Sequence, residues 1–498
     1  MLRRSAALLL LSLSAVAVLA SGGVQAARAP VPTIAGVQTG PFSAVVKWKV
    51  EEAARVVVEV GMDDRYGIWS PTSVARDAVV DRTTIAGLEP ATTYRFRVVA
   101  RWRNGARAED RGTFRTDPWP SSVVATADPA EGAISSDTGS LAPFILNPAL
   151  PPKVGSGGGS GSSPTSPVPT LAPPAGSSAP LRVNGVAFFP RMVWRQCPNY
   201  FQTSIGAGIN VFLGVSCAGP EEQFATLAGR AASTTDANDP GTSGPAHLGW
   251  HLPDEADVSV GGADKLPKTP KVHGRVTFLT LTDKFSVNAA AGPHGKDIYP
   301  GLFETADVIG FDTYPIEVRC SIAKLDNVYW MQREIVQQAQ GKPTFQWIEA
   351  GPMEHCRENE DPTPAIVRVE TWLAIAGGAR GMGWFPDYWA EDIRNEVRKI
   401  NRDIVSLAPA LLGPVVNATW SAQNPVRIGV RKYNGALYII AANTSTSPAT
   451  ASFTVPGLSG RKLRAFSDGR VVTPLGNLVV DKLPGLGTAV YIASPAGW

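Results

Sequence analysis

The spacing of apolar and polar positions changes character along this chain, and the changes mark its parts. Between residues 30 and 117 apolar side chains recur every second position. They do so in Ala44-Val45-Val46-Lys47-Trp48-Lys49-Val50, in Arg55 to Val60 and in Tyr94-Arg95-Phe96-Arg97-Val98-Val99-Ala100. Alternation of this kind, broken by turn residues, predicts antiparallel strands stacked as a β-sandwich. From 181 to 414 the pattern becomes short apolar runs separated by helical stretches, which predicts a parallel sheet. The candidate strands are Val186 to Val193, Asn210 to Val215, Leu248 to His251, Val276 to Thr282, Val308 to Asp312, Thr344 to Ile348 and Ala379 to Phe385, with an eighth hidden in Ala231 to Asp236. The intervening helices include Pro220 to Ala231, Lys324 to Gln340, Pro364 to Ala376 and Asp392 to Ser406. Eight such units in about 230 residues have the size of a (β/α)8 barrel. From 415 to 498 alternation returns, as in Ala436-Leu437-Tyr438-Ile439-Ile440-Ala441-Ala442, and predicts a second antiparallel β-sandwich.

Two stretches fit none of these patterns. Arg3 and Arg4 precede an apolar run, Ala6 to Ala20, and small residues ending in Val24-Gln25-Ala26, so residues 1–26 read as a secretory signal. Residues 118–180 are rich in Gly, Ser, Pro, Ala and Thr and read as a linker, because such a composition cannot bury enough apolar surface to offset its ordering entropy. Within it, the run around 142–150 has enough apolar content to dock on a neighbour.

Composition narrows the picture. A chain of 498 residues is expected to hold several domains, and 44% hydrophobic with 18% charged residues is ordinary for globular ones. A net charge of +3 gives no reason to expect nucleic acid as a partner. No stretch reaches the roughly 20 apolar residues needed to span a bilayer. The expectation is an exported monomer without cofactor or metal.

Chemistry is expected at the C-terminal ends of the barrel strands, where side chains of parallel barrels converge. Gly249-Trp250-His251-Leu252-Pro253-Asp254-Glu255 delivers a carboxylate after the fourth strand, and Thr344-Phe345-Gln346-Trp347-Ile348-Glu349 delivers another at the seventh. Two carboxylates at two strand ends fit acid/base and nucleophile work on a glycosidic bond. Alternation pairs His251 with Glu255, Asp312 with Tyr314 and Trp347 with Glu349, so each pair is expected to point the same way.

On these residues the middle segment resembles the clan A glycoside hydrolases. The resemblance implies a TIM barrel with Glu255 as acid/base and Glu349 as nucleophile of a retaining reaction on a poly- or oligosaccharide. It is supported by Phe311-Asp312-Thr313-Tyr314-Pro315, where Tyr314 would orient the nucleophile, and by Gly381-Met382-Gly383-Trp384-Phe385, where Trp384 would floor the reacting subsite. The opening 183–191 resembles the first strand of those enzymes. Arg191, Trp194, His251, Asp254, Asp312 and Trp347 complete the expected substrate contacts. Leu88 to Val98, with Trp48, likewise resembles the fibronectin type III signature. Placed on such a barrel, Cys197 and Cys217 follow adjacent strands, as do Cys320 and Cys356, and each pair is expected to form a disulfide.

The chain departs from the clan at one position: Asp254 stands where Asn usually precedes the acid and binds the sugar's 2-hydroxyl. Its charge would raise the pKa of Glu255, and the substrate is expected to differ at that group. The same departure leaves open a catalytically silent carbohydrate-binding protein on this scaffold. His247 and His251 are four apart, but Gly249 and Pro253 oppose a helix, so a metal pair is not expected. Arg191 reads equally as an ion-pair partner, and Asp257 and Glu317 read as solvated loop charges.

Overall fold

The structure is a computed structural model that describes residues 30–75, 79–129, 176–239, 244–353, 355–356, 361–386 and 388–498. The predicted leader at 1–26 and the Gly/Ser/Pro-rich stretch of 130–175 lie outside the described residues, as do Glu354 and Asp387.

In the N-terminal part, Thr33–Thr39, Ser43–Lys49 and Asp81–Ala86 form one antiparallel sheet, and Ala54–Gly61, Ile68–Trp69, Ser73–Ala75, Thr93–Arg101 and Arg107–Arg115 form another. One core lies between them, around the fully buried Trp48. The indole NH of Trp48 is satisfied by Thr83 Oγ1 at 2.9 Å. Along Thr93–Arg101 the residues Tyr94, Phe96 and Val98 point inward. A one-residue slip would expose them, at roughly 1.5–3 kcal/mol each, and bury Arg95 and Arg97, so register is firmly set.

The middle part is a closed barrel of eight parallel strands in chain order. They are β1 (Arg191–Trp194), β2 (Val211–Leu213), β3 (Ala232–Asp236), β4 (His247–His251), β5 (Val276–Leu281), β6 (Val308–Asp312), β7 (Thr344–Glu349) and β8 (Gly381–Phe385). Pairing of Arg191 with Met382 closes the ring. Gly249 in β4 is required by packing, because a Cβ there would meet the Val276 carbonyl oxygen at 1.8 Å.

The expected first strand, Val186 to Val193, is in fact two elements. Val186–Phe188 pairs back on Leu181–Val183 across Asn184 (φ 50°) and Gly185 (φ 77°), an Asn-Gly hairpin turn. Only Arg191–Trp194, beyond Pro190, enters the barrel. Ala125–Ala127 adds a third strand to this hairpin. Its apolar side chains, with Trp119 and Phe42, plug the N-terminal end of the barrel against Met192, Val211, Phe278 and Phe345.

The helices Pro364–Gly377 and Glu391–Leu411 lie between the barrel and the C-terminal sheets, in one continuous core. Thr363 caps the first, with Pro364 at its opening position. The C-terminal part consists of a five-stranded sheet containing Val426–Tyr433, Ala436–Asn443 and Thr488–Ala493, and a three-stranded one of Thr419–Trp420, Ala449–Thr454 and Leu478–Leu483. Tyr329 donates to the Ile428 carbonyl at 2.8 Å and ties barrel to sheet. No described helix is long and apolar enough to cross a membrane.

Candidate active site

A cavity of about 810 Å³ opens at the C-terminal ends of the strands. Asp254, Glu255, Asp283, Asp312, Trp194, Tyr314, Trp347 and Phe385 line it, together with Lys284, Arg319 and the rim residue Tyr388. Glu255 does not end β4 itself. It lies four residues beyond, past Pro253, with left-handed backbone angles (φ 46°, ψ 49°) just before the short helix Ala256–Ser259. A non-glycine residue held there costs on the order of 1–3 kcal/mol, which the surroundings must offset. Asp257 does so. Buried rather than solvated, it accepts from the Thr282 backbone N–H at 2.9 Å, the Thr282 hydroxyl at 2.6 Å and the Tyr299 hydroxyl at 2.9 Å, fastening the turn to the end of β5.

The turn thrusts Glu255 among other acids. Burial pushes its pKa up, and the charges of Asp254, Asp257 and Asp283 push it further, while a hydrogen bond with the Asp312 side chain opposes them. Asp312 is driven well above the usual carboxylate range, first by burial and then by Glu255. These two neighbours therefore retain a proton between them. Asp254 is open to the cavity but enclosed by protein. Burial raises its pKa, while the Glu255 backbone N–H and Arg195 act in the opposite direction. Asp283 is ion-paired with Arg319 and, at 3.6 Å, with Lys284. Among the described residues no group of His, Cys, Asp or Glu is arranged to hold a metal ion.

Aromatic rings form the walls. Trp194 meets Trp347 edge-on with centroids 5.8 Å apart, and Tyr314 stacks with Phe385 at 6.3 Å. The indole N–H of Trp347 donates to Thr280 Oγ1 at 3.1 Å, which locks the ring. His251 lies beneath, 4.5 Å from Trp194, with Nε2 3.2 Å from Thr280 Oγ1. Burial pulls its pKa down to about 3, so it is neutral, and it does not line the cavity.

Several expected site residues stand elsewhere. Glu349 is fully buried and outside the cavity lining. Its carboxylate accepts the backbone N–H groups of Ile316 at 2.9 Å and Glu317 at 2.8 Å, so it caps the turn that follows β6. Glu370 lies beside it and is held well above the usual carboxylate range by burial and by the charge of Glu349. Glu317, expected in solvent, is also buried and accepts from the Met353 N–H at 2.8 Å. Trp384 is completely buried on the outer face of β8, in the helix-facing core. Gly383 is the residue that faces inward, against the Trp347 ring, and by alternation Phe385 is the aromatic that reaches the cavity. Arg191, the first residue of β1, sits at the opposite end of the barrel and is bound to Glu89 at 2.9 Å. His251, as described, is a core residue.

The structure brings Trp194, Asp254, Glu255, Asp312, Tyr314 and Trp347 together. Asp283, Lys284, Arg319 and Phe385 were missed by the sequence reading. Thr282-Asp283 directly follows the fifth strand, the position from which a carboxylate reaches the mouth, and that was the available signal. Cys197 is joined to Cys217 and Cys320 to Cys356 on the loops around this mouth.

No family model matches the chain, and no curated protein matches it. Similar solved structures include a GH30 endoxylanase from Clostridium papyrosolvens C71, 11% identical with a TM-score of 0.37 over 61% of this chain and 96% of that one. AmyP in complex with maltose is 7% identical with a TM-score of 0.40, over 62% of this chain and 97% of that one. A putative alpha-galactosidase/melibiase from Bacteroides fragilis NCTC 9343 is 11% identical with a TM-score of 0.38, over 93% of this chain and 98% of that one.

Proposed function

We propose that this chain is a glycoside hydrolase, with Glu255 as its general acid and base, acting on a poly- or oligosaccharide at the C-terminal mouth of the barrel. The observation that carries the reading is the strained turn that holds Glu255, with its raised pKa, against Asp312 in an aromatic-walled cavity. A carboxyl whose pKa is raised can give its proton to the leaving glycosidic oxygen and then take one from water. Trp194, Trp347, Tyr314 and Phe385 offer the faces on which sugar rings stack. Asp312 donates to Glu255 and so steadies the carboxylate that forms once Glu255 has given up its proton. In this reading Glu349 holds the turn after β6 rather than attacking the sugar, because it is fully buried and does not line the cavity.

The surrounding parts are in keeping with an exported protein. Two disulfides bracing the mouth suit an oxidising compartment. The N-terminal sheets, with Trp48 at their core and the Tyr94 hydroxyl accepting from the Glu89 N–H at 2.9 Å, are in keeping with a fibronectin type III-like accessory module, and the C-terminal sheets with a β-sandwich. A panel of aryl glycosides and polysaccharides tests the function. Wild type is expected to release sugar from at least one, and Glu255→Gln to lose that release. Protein that binds glycans but frees no sugar from any of them would make this a silent binding protein instead.

A further inference from the structure

We infer that the sugar in the reacting subsite carries an acetamido group at C2, and that the carbonyl oxygen of this group, oriented by Asp254, is the nucleophile. The inference rests on the glycosidase reading and names its substrate class.

Three observations lead there. First, the cavity lacks a suitably placed protein nucleophile among the described residues. A retaining pair needs carboxyl groups about 5–5.5 Å apart, and an inverting pair roughly 6.5–9.5 Å. Glu349 is capped into a loop, Asp312 is a hydrogen-bonding neighbour of Glu255 and so too close for either geometry, and Asp283 is held by Arg319 and Lys284. Second, the carboxyl group adjacent to Glu255 in the chain, Asp254, also faces the cavity, and its carboxylate is steadied by the Glu255 backbone N–H and by Arg195. A carboxyl group offers an acceptor oxygen in either protonation state, so it can take the N–H of an amide. Third, the rings of Trp194, Trp347, Tyr314 and Phe385 line the cavity and offer an apolar wall for an acetamido methyl.

The reaction balances without any added reagent. The acetamido oxygen bonds to C1 as the C1–O bond to the leaving group breaks, and Glu255 passes its proton to the departing oxygen. A five-membered oxazolinium ring results, its N–H held by the Asp254 carboxylate. Water then adds to C1, giving its proton to Glu255, while the bond from C1 to the acetamido oxygen breaks and the amide is restored. Two inversions at C1 leave the product with the anomeric configuration of the substrate.

The test uses the full chain and methylumbelliferyl glycosides in both anomeric forms: N-acetylhexosaminides, the corresponding 2-hydroxy hexosides, and N-acyl analogues carrying one, two or three fluorines. Wild type is expected to cleave an N-acetylhexosaminide in preference to its 2-hydroxy counterpart, with kcat/KM falling at each added fluorine as the carbonyl oxygen loses nucleophilicity. Asp254→Asn is expected to lose about 10²–10³-fold in kcat. The fluorine series needs no variant, so a misfolded Asp254→Asn would not blunt the test. Equal or better cleavage of 2-hydroxy hexosides, or rates indifferent to fluorine, would overturn the inference and leave the glycosidase reading standing. Cleavage of neither class, with broad polysaccharides also untouched, would bring down both.

Discussion

The ends of β4 and β7 read alike in the sequence, each a Trp-containing apolar run that finishes near a glutamate, yet the fold puts the two carboxylates to opposite uses. Glu255 sits past a Pro on a left-handed turn, half-buried, facing a cavity and other acids. Glu349 continues a regular strand and is taken up by two backbone N–H groups of the turn after β6. The difference lies in what satisfies the oxygens. A carboxylate bonded to the backbone and buried off the cavity is held as part of the fold, and one left strained among like charges at a cavity is poised to move a proton.

The sharpest way to separate the two is at Glu255. Glu255→Gln removes the transferable proton and is expected to lower kcat by about 10²–10⁴-fold on an active glycoside. Its melting temperature should not fall, since one of several crowded charges is gone. Next comes Glu349→Ala, which leaves the Ile316 and Glu317 N–H groups unpaired in the interior. It should cost about 3 kcal/mol in denaturant unfolding, and azide should not restore activity, because no nucleophile has been removed.

A smaller effect is expected on pH dependence. Asp312→Ala takes away the hydrogen bond that holds the Glu255 pKa down, so that pKa rises and the alkaline limb of the kcat/KM profile moves to higher pH, by roughly one unit. An unmoved limb would detach Asp312 from the site. The smallest effect belongs to Glu370. Its pKa is raised well above its unfolded value, so its contribution is fully present below that unfolded value, about 4.3, and is lost as pH rises toward the folded one. Glu370→Gln should therefore gain stability relative to wild type at pH 8 compared with pH 5, as read by urea midpoints.

How much of this could be read beforehand follows from the same physics. The barrel was legible because each strand is a short apolar run bounded by turns, and even the expected hidden strand lies at Ala232–Asp236. Val186 to Val193 misled because its apolar run continues through Pro190 and hides the Asn184-Gly185 hairpin. At the site, Asp254, Asp312, Tyr314 and Trp347 were within reach because positions at or near the C-terminal end of a strand point to the mouth of the barrel. Trp384 was not, since the parity of β8 is set by contact of Gly383 with Trp347, and a shift of one residue exchanges inside for outside. Nor was Glu349, whose partners at Ile316 and Glu317 come from a neighbouring strand's loop.

The most direct trial sets Glu255→Gln and Glu349→Gln side by side, with kcat/KM and melting temperature measured on the same samples against a glycoside that wild type cleaves. The account predicts that Glu255→Gln loses its activity at an unchanged or higher melting temperature, while Glu349→Gln melts earlier but turns over substrate where it remains folded. A Glu349→Gln protein as stable as wild type yet inactive, beside an active Glu255→Gln, would contradict it.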